Sequence, residues 1–199
     1  AQLRSEIILT GCAGHAGTIP ASLRNDPLPV ASEMILAVNQ MCKSDELIRS
    51  TVGHLEVIPN ASNVIPGTVK FSIDMRYPDL KGLRLVHNEL SEEIKSIAKR
   101  SDLKFEYKLV HEASDAQLDQ RLTDILAESC EVIQGSSPRM FSGAGHDSMK
   151  LAQVCPASML AVRCKDGLSH HPDEFASNAD CILAFKAMLR AVLRIDKIF

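Results

Sequence analysis

The sequence predicts an α/β molecule in two parts. A ferredoxin-like β-α-β-β-α-β unit comes first, and a shorter stretch in the style of a parallel α/β layer follows. Three observations predict this. Val69, Phe71, Ile73 and Met75 alternate with Lys70, Ser72, Asp74 and Arg76, the pattern of a half-buried strand. Two long segments step their apolar residues at three and four, as amphipathic helices do. After about residue 112 the style changes to helices separated by glycine- and histidine-bearing turns.

In order, residues 3–9 read as a strand that runs into Gly14-His15-Ala16-Gly17-Thr18. Val30, Met34, Val38 and Met41 define a helix from about Asp26 to Lys43. Asn25 or Asp26 can cap it, and Pro27 suits its first turn. Residues 51–58 read as a strand, and Asn60 to Gly67 as a loop. The alternating strand at 69–75 follows. Leu83, Val86, Leu90, Ile94 and Ile97 mark the second helix, and Leu103, Phe105, Tyr107 and Leu109 alternate again. His111 to Gln117 is polar and reads as a boundary.

Beyond it, Leu118, Leu122, Ile125, Leu126, Cys130 and Ile133 predict a helix. A short helix is expected at about Asp147 to Gln153. Ser158 to Val162 is a continuous apolar run that reads as a strand buried on both faces. The last helix, about Ala179 to Ile195, is expected to pack through Ile182, Phe185, Leu189 and Val192. Two strands at most do not complete an α/β domain.

Composition narrows the function. The net charge of -3 gives no electrostatic case for nucleic acid or an anionic membrane. Aromatic residues are scarce, which disfavours a stacking platform for single strands. No apolar run approaches the ~18 residues of a membrane span, and no signal peptide is evident. The six cysteines show no C-x-x-C spacing and read as thiols of a reducing, cytoplasmic compartment. The chain opens on Ala1 and runs directly into a strand, as though cut from a larger protein.

The candidate chemistry lies in polar, glycine-flanked segments. Ser142-Gly143-Ala144-Gly145-His146-Asp147 and Gly167-Leu168-Ser169-His170-His171-Pro172-Asp173-Glu174 bring imidazoles and carboxylates to turns. On an extended segment His170 and His171 point apart, so at most one is a ligand. The segment reads equally as a solvated loop, with Asp173 and Glu174 as caps. Main-chain N–H groups at Gly143 to His146 could hold a carboxylate at a helix start, or form a plain tight turn. His15 stands between small residues. Arg76 at a strand end suits either a surface ion pair or bidentate recognition of a carboxylate. Asn63 lies in a turn. His54, His87 and His111 read as surface residues.

Taken together, these segments resemble the M20 metallopeptidase-like amidohydrolases. The resemblance is closest to the branch of allantoate amidohydrolase, N-carbamoyl-L-amino-acid hydrolase and β-ureidopropionase. It rests on Gly14 to Pro20 with Leu23 to Asp26, on Ser62 to Gly67 (SNVIPG), on Asp74-Met75-Arg76, on Ser142 to Asp147 (SGAGHD) and on Gly167 to Pro172.

The resemblance implies a catalytic domain holding two divalent metal ions, Mn2+ or Zn2+, with an inserted lid that also forms a homodimer. Residues 1–7 would end the first catalytic segment, 8–112 form the lid, and 113–199 return to the catalytic domain. The upstream half, with most metal ligands and the glutamate general base, would precede Ala1, so this fragment alone would be inactive. The resemblance implies that His170 binds metal. It implies that His15 is catalytic, reaching a neighbouring subunit's site to polarise the scissile carbonyl. Asn63 and Arg76 would bind substrate, Arg76 at its carboxylate, with a main-chain contact from Gly143 or Gly145. The implied reaction is hydrolysis of a linear ureido C–N bond in a small carboxylate, releasing ammonia and carbon dioxide. A peptidase or aminoacylase of the wider family, or a non-catalytic dimerisation and recognition module, are the alternatives.

Overall fold

In a computed structural model, the structure describes residues 1–197. The chain divides into two compact units, residues 1–115 and 116–199.

The first unit is an antiparallel sheet under two helices. Strand β1 (Gln2–Thr10) is central. A two-residue strand, β2 (Gly14–His15), and a short 3-10 turn at Ala21–Leu23 lead to α1 (Pro27–Ser44). The Asp26 carboxylate accepts the Leu28 N–H and Pro27 fills the first turn, as expected. The strand expected at 51–58 is broken into β3 (Arg49–Thr51) and β4 (Leu55–Ile58), both paired with β6. Gly53 lies in the break, where a residue without a side chain weakens a strand. Strand β5 (Val64–Ile65), strand β6 (Thr68–Arg76), helix α2 (Leu80–Lys99) and strand β7 (Lys104–Ala113) follow.

The order across the sheet, β3 and β4 beside β6, then β1, then β7, is the ferredoxin-like arrangement. Residues 2–7, expected to lead into the lid, form most of β1, the strand between β6 and β7. Alternation puts Leu3, Ile7 and Leu9 of β1 and Val69, Phe71, Ile73 and Met75 of β6 on the helix-facing side. There they meet Met34 and Val38 of α1 and Leu83, Leu90, Ile94 and Ile97 of α2. The expected alternation of β7 holds through Tyr107 and fails at Leu109, which is exposed. Leu109 still pairs with Ser5, on the face of Tyr107 and Phe105; a bulge follows it, where Arg4 pairs with His111 and Val110 is an extra residue.

The second unit contains α3 (Gln120–Gln134), the single turn α4 (Ser148–Leu151) and α5 (Asn178–Ile195). Asp119 caps α3, and Gly135 ends it in the left-handed conformation. Ser177 caps α5. Two expectations are corrected. Ser158 to Val162 is not a strand, because no strand among the described residues of this unit offers it a ladder, and Ala161 and Val162 are exposed. Helix α5 does not bury Ile182, Phe185, Leu189 and Val192, all of which are about half exposed or more. Its buried positions are Ala187 and Ala191, and Ala191 packs with Ile125 and Leu126 of α3. No helix among the described residues is long and apolar enough to cross a membrane.

Candidate functional site

Within the first unit the ladder between β1 and β6 does not stop at the sheet. Thr10 pairs with Thr68, the Gly11 N–H donates to the Gly67 carbonyl at 2.9 Å, and Gly14 and His15 then pair with Ile65 and Val64. A one-residue slip in register separates the two stretches. The result is a two-stranded arm that continues from the β1–β6 ladder. At its tip the Ala16 N–H donates to the Asn63 carbonyl at 3.0 Å. His15 and Asn63, 48 residues apart in the chain, are thus brought together, and both are exposed.

Arg76 stands at the other end of the same arm, paired with Gln2. Eight residue steps of strand separate it from Thr68, roughly 26 Å of extended chain. Its Nε donates to Asp74 Oδ1 at 2.9 Å and its Nη2 to Oδ2 at 3.4 Å. Arg4 Nε and Gln2 Nε2 also donate to Oδ2, at 3.0 and 2.6 Å. Burial pushes the Asp74 carboxyl up, but the hydrogen bonds and charge of Arg76, with Gln2 and Arg4, hold it below its ordinary value. Two guanidiniums share one carboxylate, so this cluster carries net positive charge. The ion pair with Asp74 also fixes the guanidinium plane.

In the second unit the Ser142–Asp147 turn is folded on itself. Ser142 Oγ lies 3.1 Å from His146 Nε2 and donates to the Ala144 carbonyl at 3.3 Å. The expected helix after it shrinks to one turn, and the Asp147 side chain makes no capping bond. A helix dipole contributes little over so short a span. A Cβ built on Gly145 would meet only Met149 Sδ at 3.7 Å, so the packing of this chain does not require glycine there.

The second histidine loop is not extended. His170 is left-handed, with φ 58°, and its N–H donates to Glu174 Oε2 at 2.9 Å. The expectation that His170 and His171 point apart assumed a strand-like backbone, which this turn replaces. Asp173 N–H donates to His171 Nδ1 at 3.1 Å, so that imidazole is engaged within the loop. Glu174 binds the main chain within the loop rather than capping a helix, the role expected of it. A non-glycine residue in the left-handed region costs of order 1–3 kcal/mol and is concentrated at functional positions. Among the described residues no group of three or more His, Cys, Asp and Glu side chains could hold a metal ion. The described residues do not by themselves fit a metal centre.

Residues 11–194 match the model of peptidase family M20/M25/M40. The chain belongs to that family. It is 34% identical over 191 residues to an N-carbamoyl-L-amino-acid amidohydrolase of Pseudomonas sp. (strain NS671), covering 95% of this chain and 46% of that protein. It is 34% identical to an allantoate deiminase of Arabidopsis thaliana, over 94% of this chain and 41% of the relative. A crystal structure of an amidase of the hydantoinase/carbamoylase family from Burkholderia multivorans superposes with a TM-score of 0.90 at 34% identity, covering 97% of this chain and 47% of that one. The chain therefore spans about half the length of these M20 relatives.

Sequence reasoning missed two polar features of this M20 chain. His87 is not a surface residue. It is half-buried, with Ser5 Oγ at 3.1 Å and Tyr107 OH at 3.0 Å from Nε2. Ser5 interrupts the apolar face of β1, and that interruption was the available signal. Burial pushes the His87 imidazole below its ordinary value and outweighs the bond to Asn88 that raises it; Lys95 adds to the lowering and Glu112 opposes it. Arg24, quoted only as part of a motif, bonds the main chain beside His15.

Proposed function

We propose that this chain is the lid and closing segment of a metal-dependent amidohydrolase. That enzyme cleaves the linear ureido C–N bond of small carboxylates such as N-carbamoyl-L-amino acids or allantoate. The observation that carries this reading is the likeness to carbamoyl-amino-acid and allantoate hydrolases over nearly the whole chain, including every segment with candidate chemistry. The first unit is the lid. The second brings His170 as one imidazole donor to a divalent metal centre, Mn2+ or Zn2+, whose other donors lie outside this chain. The strained backbone at His170 supports that assignment. Such a centre supplies an activated water for attack on a carbonyl.

This chain's own residues bind and orient. His15 donates a hydrogen bond to the carbonyl oxygen as charge develops there. Arg76, oriented by Asp74, anchors the substrate carboxylate. Asn63 holds the substrate beside His15. Gly145 or Gly143 lets the carboxylate approach a main-chain N–H. The enzyme works as a homodimer joined through the lid, in the cytoplasm; the six free cysteines agree with a reducing compartment.

The arm supports the dimer. A small ureido carboxylate cannot touch both ends of one arm. A site that uses His15, Asn63 and Arg76 takes the tip from one subunit and the base from another. Complementation tests this in an active enzyme containing the chain. His15→Ala and Arg76→Ala, each introduced alone, should lower kcat/KM at least ~30-fold, the cost of an unpaired substrate charge or lost donor. Co-expressed as mixed dimers, the two variants should recover about half the activity, because one of the two sites is then intact. Verified mixed dimers with no recovery would sink the tip-and-base assignment. Turnover of dipeptides in preference to N-carbamoyl amino acids would replace the ureido reading with a peptidase.

A further inference from the structure

The tip of the arm fixes more than the position of His15. The Gly17 N–H donates to His15 Nδ1 at 3.0 Å. A ring nitrogen that accepts a main-chain N–H carries no proton, so the neutral imidazole bears its proton on Nε2. A Cβ on Gly17 would lie 3.2 Å from His15 Cε1 and 3.4 Å from Nδ1, closer than a side chain tolerates without moving the ring. A side chain at Gly17 would therefore push the ring by a few tenths of an ångström. The Thr18 and Ile19 N–H groups close the turn on the His15 carbonyl, at 3.2 and 3.3 Å.

Arg24 then ties the turn from outside. Its Nε donates to the Ile19 carbonyl at 2.9 Å and its Nη2 to the Ala16 carbonyl at 2.7 Å. These two carbonyls flank Gly17. One rigid guanidinium fork bridges them, a geometry a lysine ammonium cannot reproduce.

We propose that Arg24 is the positioning residue of this turn: by holding the Ala16 and Ile19 carbonyls it keeps the Gly17 N–H on His15 Nδ1, and so keeps His15 as an Nε2–H hydrogen-bond donor. The consequence for catalysis rests on the reading of His15 above. A ring locked this way presents a proton to a developing oxyanion, whereas the other tautomer presents a lone pair that repels it. The tautomer itself is independent of any substrate.

The test is a two-bond 1H–15N spectrum of the 15N-histidine-labelled 199-residue chain at about pH 8.5, where an ordinary imidazole is neutral. His15 should show an unprotonated Nδ1 and a protonated Nε2. In Arg24→Lys and Arg24→Ala the Nδ1–H form of His15 should gain about fivefold, the weight of one lost hydrogen bond. Gly17→Ala should shift it the same way by displacing the ring. The His87 signals, from the core of the same unit, report whether each variant is folded, and Arg24→Lys and Gly17→Ala carry the test if Arg24→Ala is not. A proton on Nδ1 of His15 in the unsubstituted chain overturns the proposal. So does an unchanged tautomer ratio in the folded variants. Activity is read separately, in the metal-loaded enzyme containing this chain: the tautomer shift with no turnover of ureido substrates by that enzyme leaves the lock standing and removes the substrate reading instead.

Discussion

The two units of the chain treat their apolar residues differently. The first covers Phe71, Ile73, Met34 and Leu90 completely, between a twisted sheet and two helices. The second buries Ile125, Leu126 and Ala191, with Leu160 and Ile195 at the margin. On α5 it leaves Ile182, Phe185, Met188, Leu189, Val192 and Leu193 open. Both units obey the same helical periodicity. What differs is whether a second layer exists to receive the apolar face. A sheet with two helices closes its own core, while two helices and loops cannot. An apolar helix face this large is ordinarily covered by protein. Capping, which is local, is sound for the long helices of both units: Asp26 and Asp79 in the first, Asp119 and Ser177 in the second.

The comparison can be broken most directly by cutting the chain. Residues 1–115 should unfold in one cooperative urea transition, and residues 116–199 should show no cooperative transition. A sharp transition of comparable midpoint from 116–199 would remove the contrast. Next in size, Phe71→Ala should destabilise the first unit by about 3–5 kcal/mol. Phe185→Ala should change stability by no more than about 0.5 kcal/mol. A large loss at Phe185 would show that self-association covers α5. Smaller still, Asp79→Ala should cost about 1 kcal/mol through its cap on the Gly82 N–H.

The finest test uses pH. Burial lowers the His87 pKa in the folded state, so the unfolded chain binds more protons below the ordinary value of 6.5. Its contribution to stability is complete above 6.5 and is lost as pH falls through the folded value. Asp74 acts in the same direction below 3.8. Denaturation midpoints of the whole chain should therefore drop on acidification below 6.5. The slope should stay under one proton per molecule, and His87→Gln should flatten it. An unchanged slope in His87→Gln would place the titration elsewhere.

Much of the first unit was legible because its signals are local. The alternation at Val69 to Met75 needs only the pleat, and the α2 stripe from Leu83 to Ile97 needs only 3.6 residues per turn. The bulge at Val110 was not legible, because it is a property of two strands in register. The apolar run at Ser158 to Val162 misled for the same reason: a strand exists only where a neighbour offers its ladder. Of the candidate site, His15, Asn63, Arg76, Gly143, Gly145 and His170 were all named from motifs. Their grouping was not, and neither was the left-handed turn at His170.

By itself, then, the sequence determined the periodic elements, their caps and the identity of the residues that could do chemistry. Those depend on spacing along the chain and on side-chain type. The tertiary structure alone decided that His15 and Asn63 share a tip, that Arg76 sits at the far end of the ladder leading to it, and that Arg24 grips the turn beside His15. The first two depend on strand register and on main-chain hydrogen bonds between distant segments, and the third on where the turn places the Ala16 and Ile19 carbonyls. Side-chain identity has little voice in those bonds, since every residue but proline brings the same N–H and C=O.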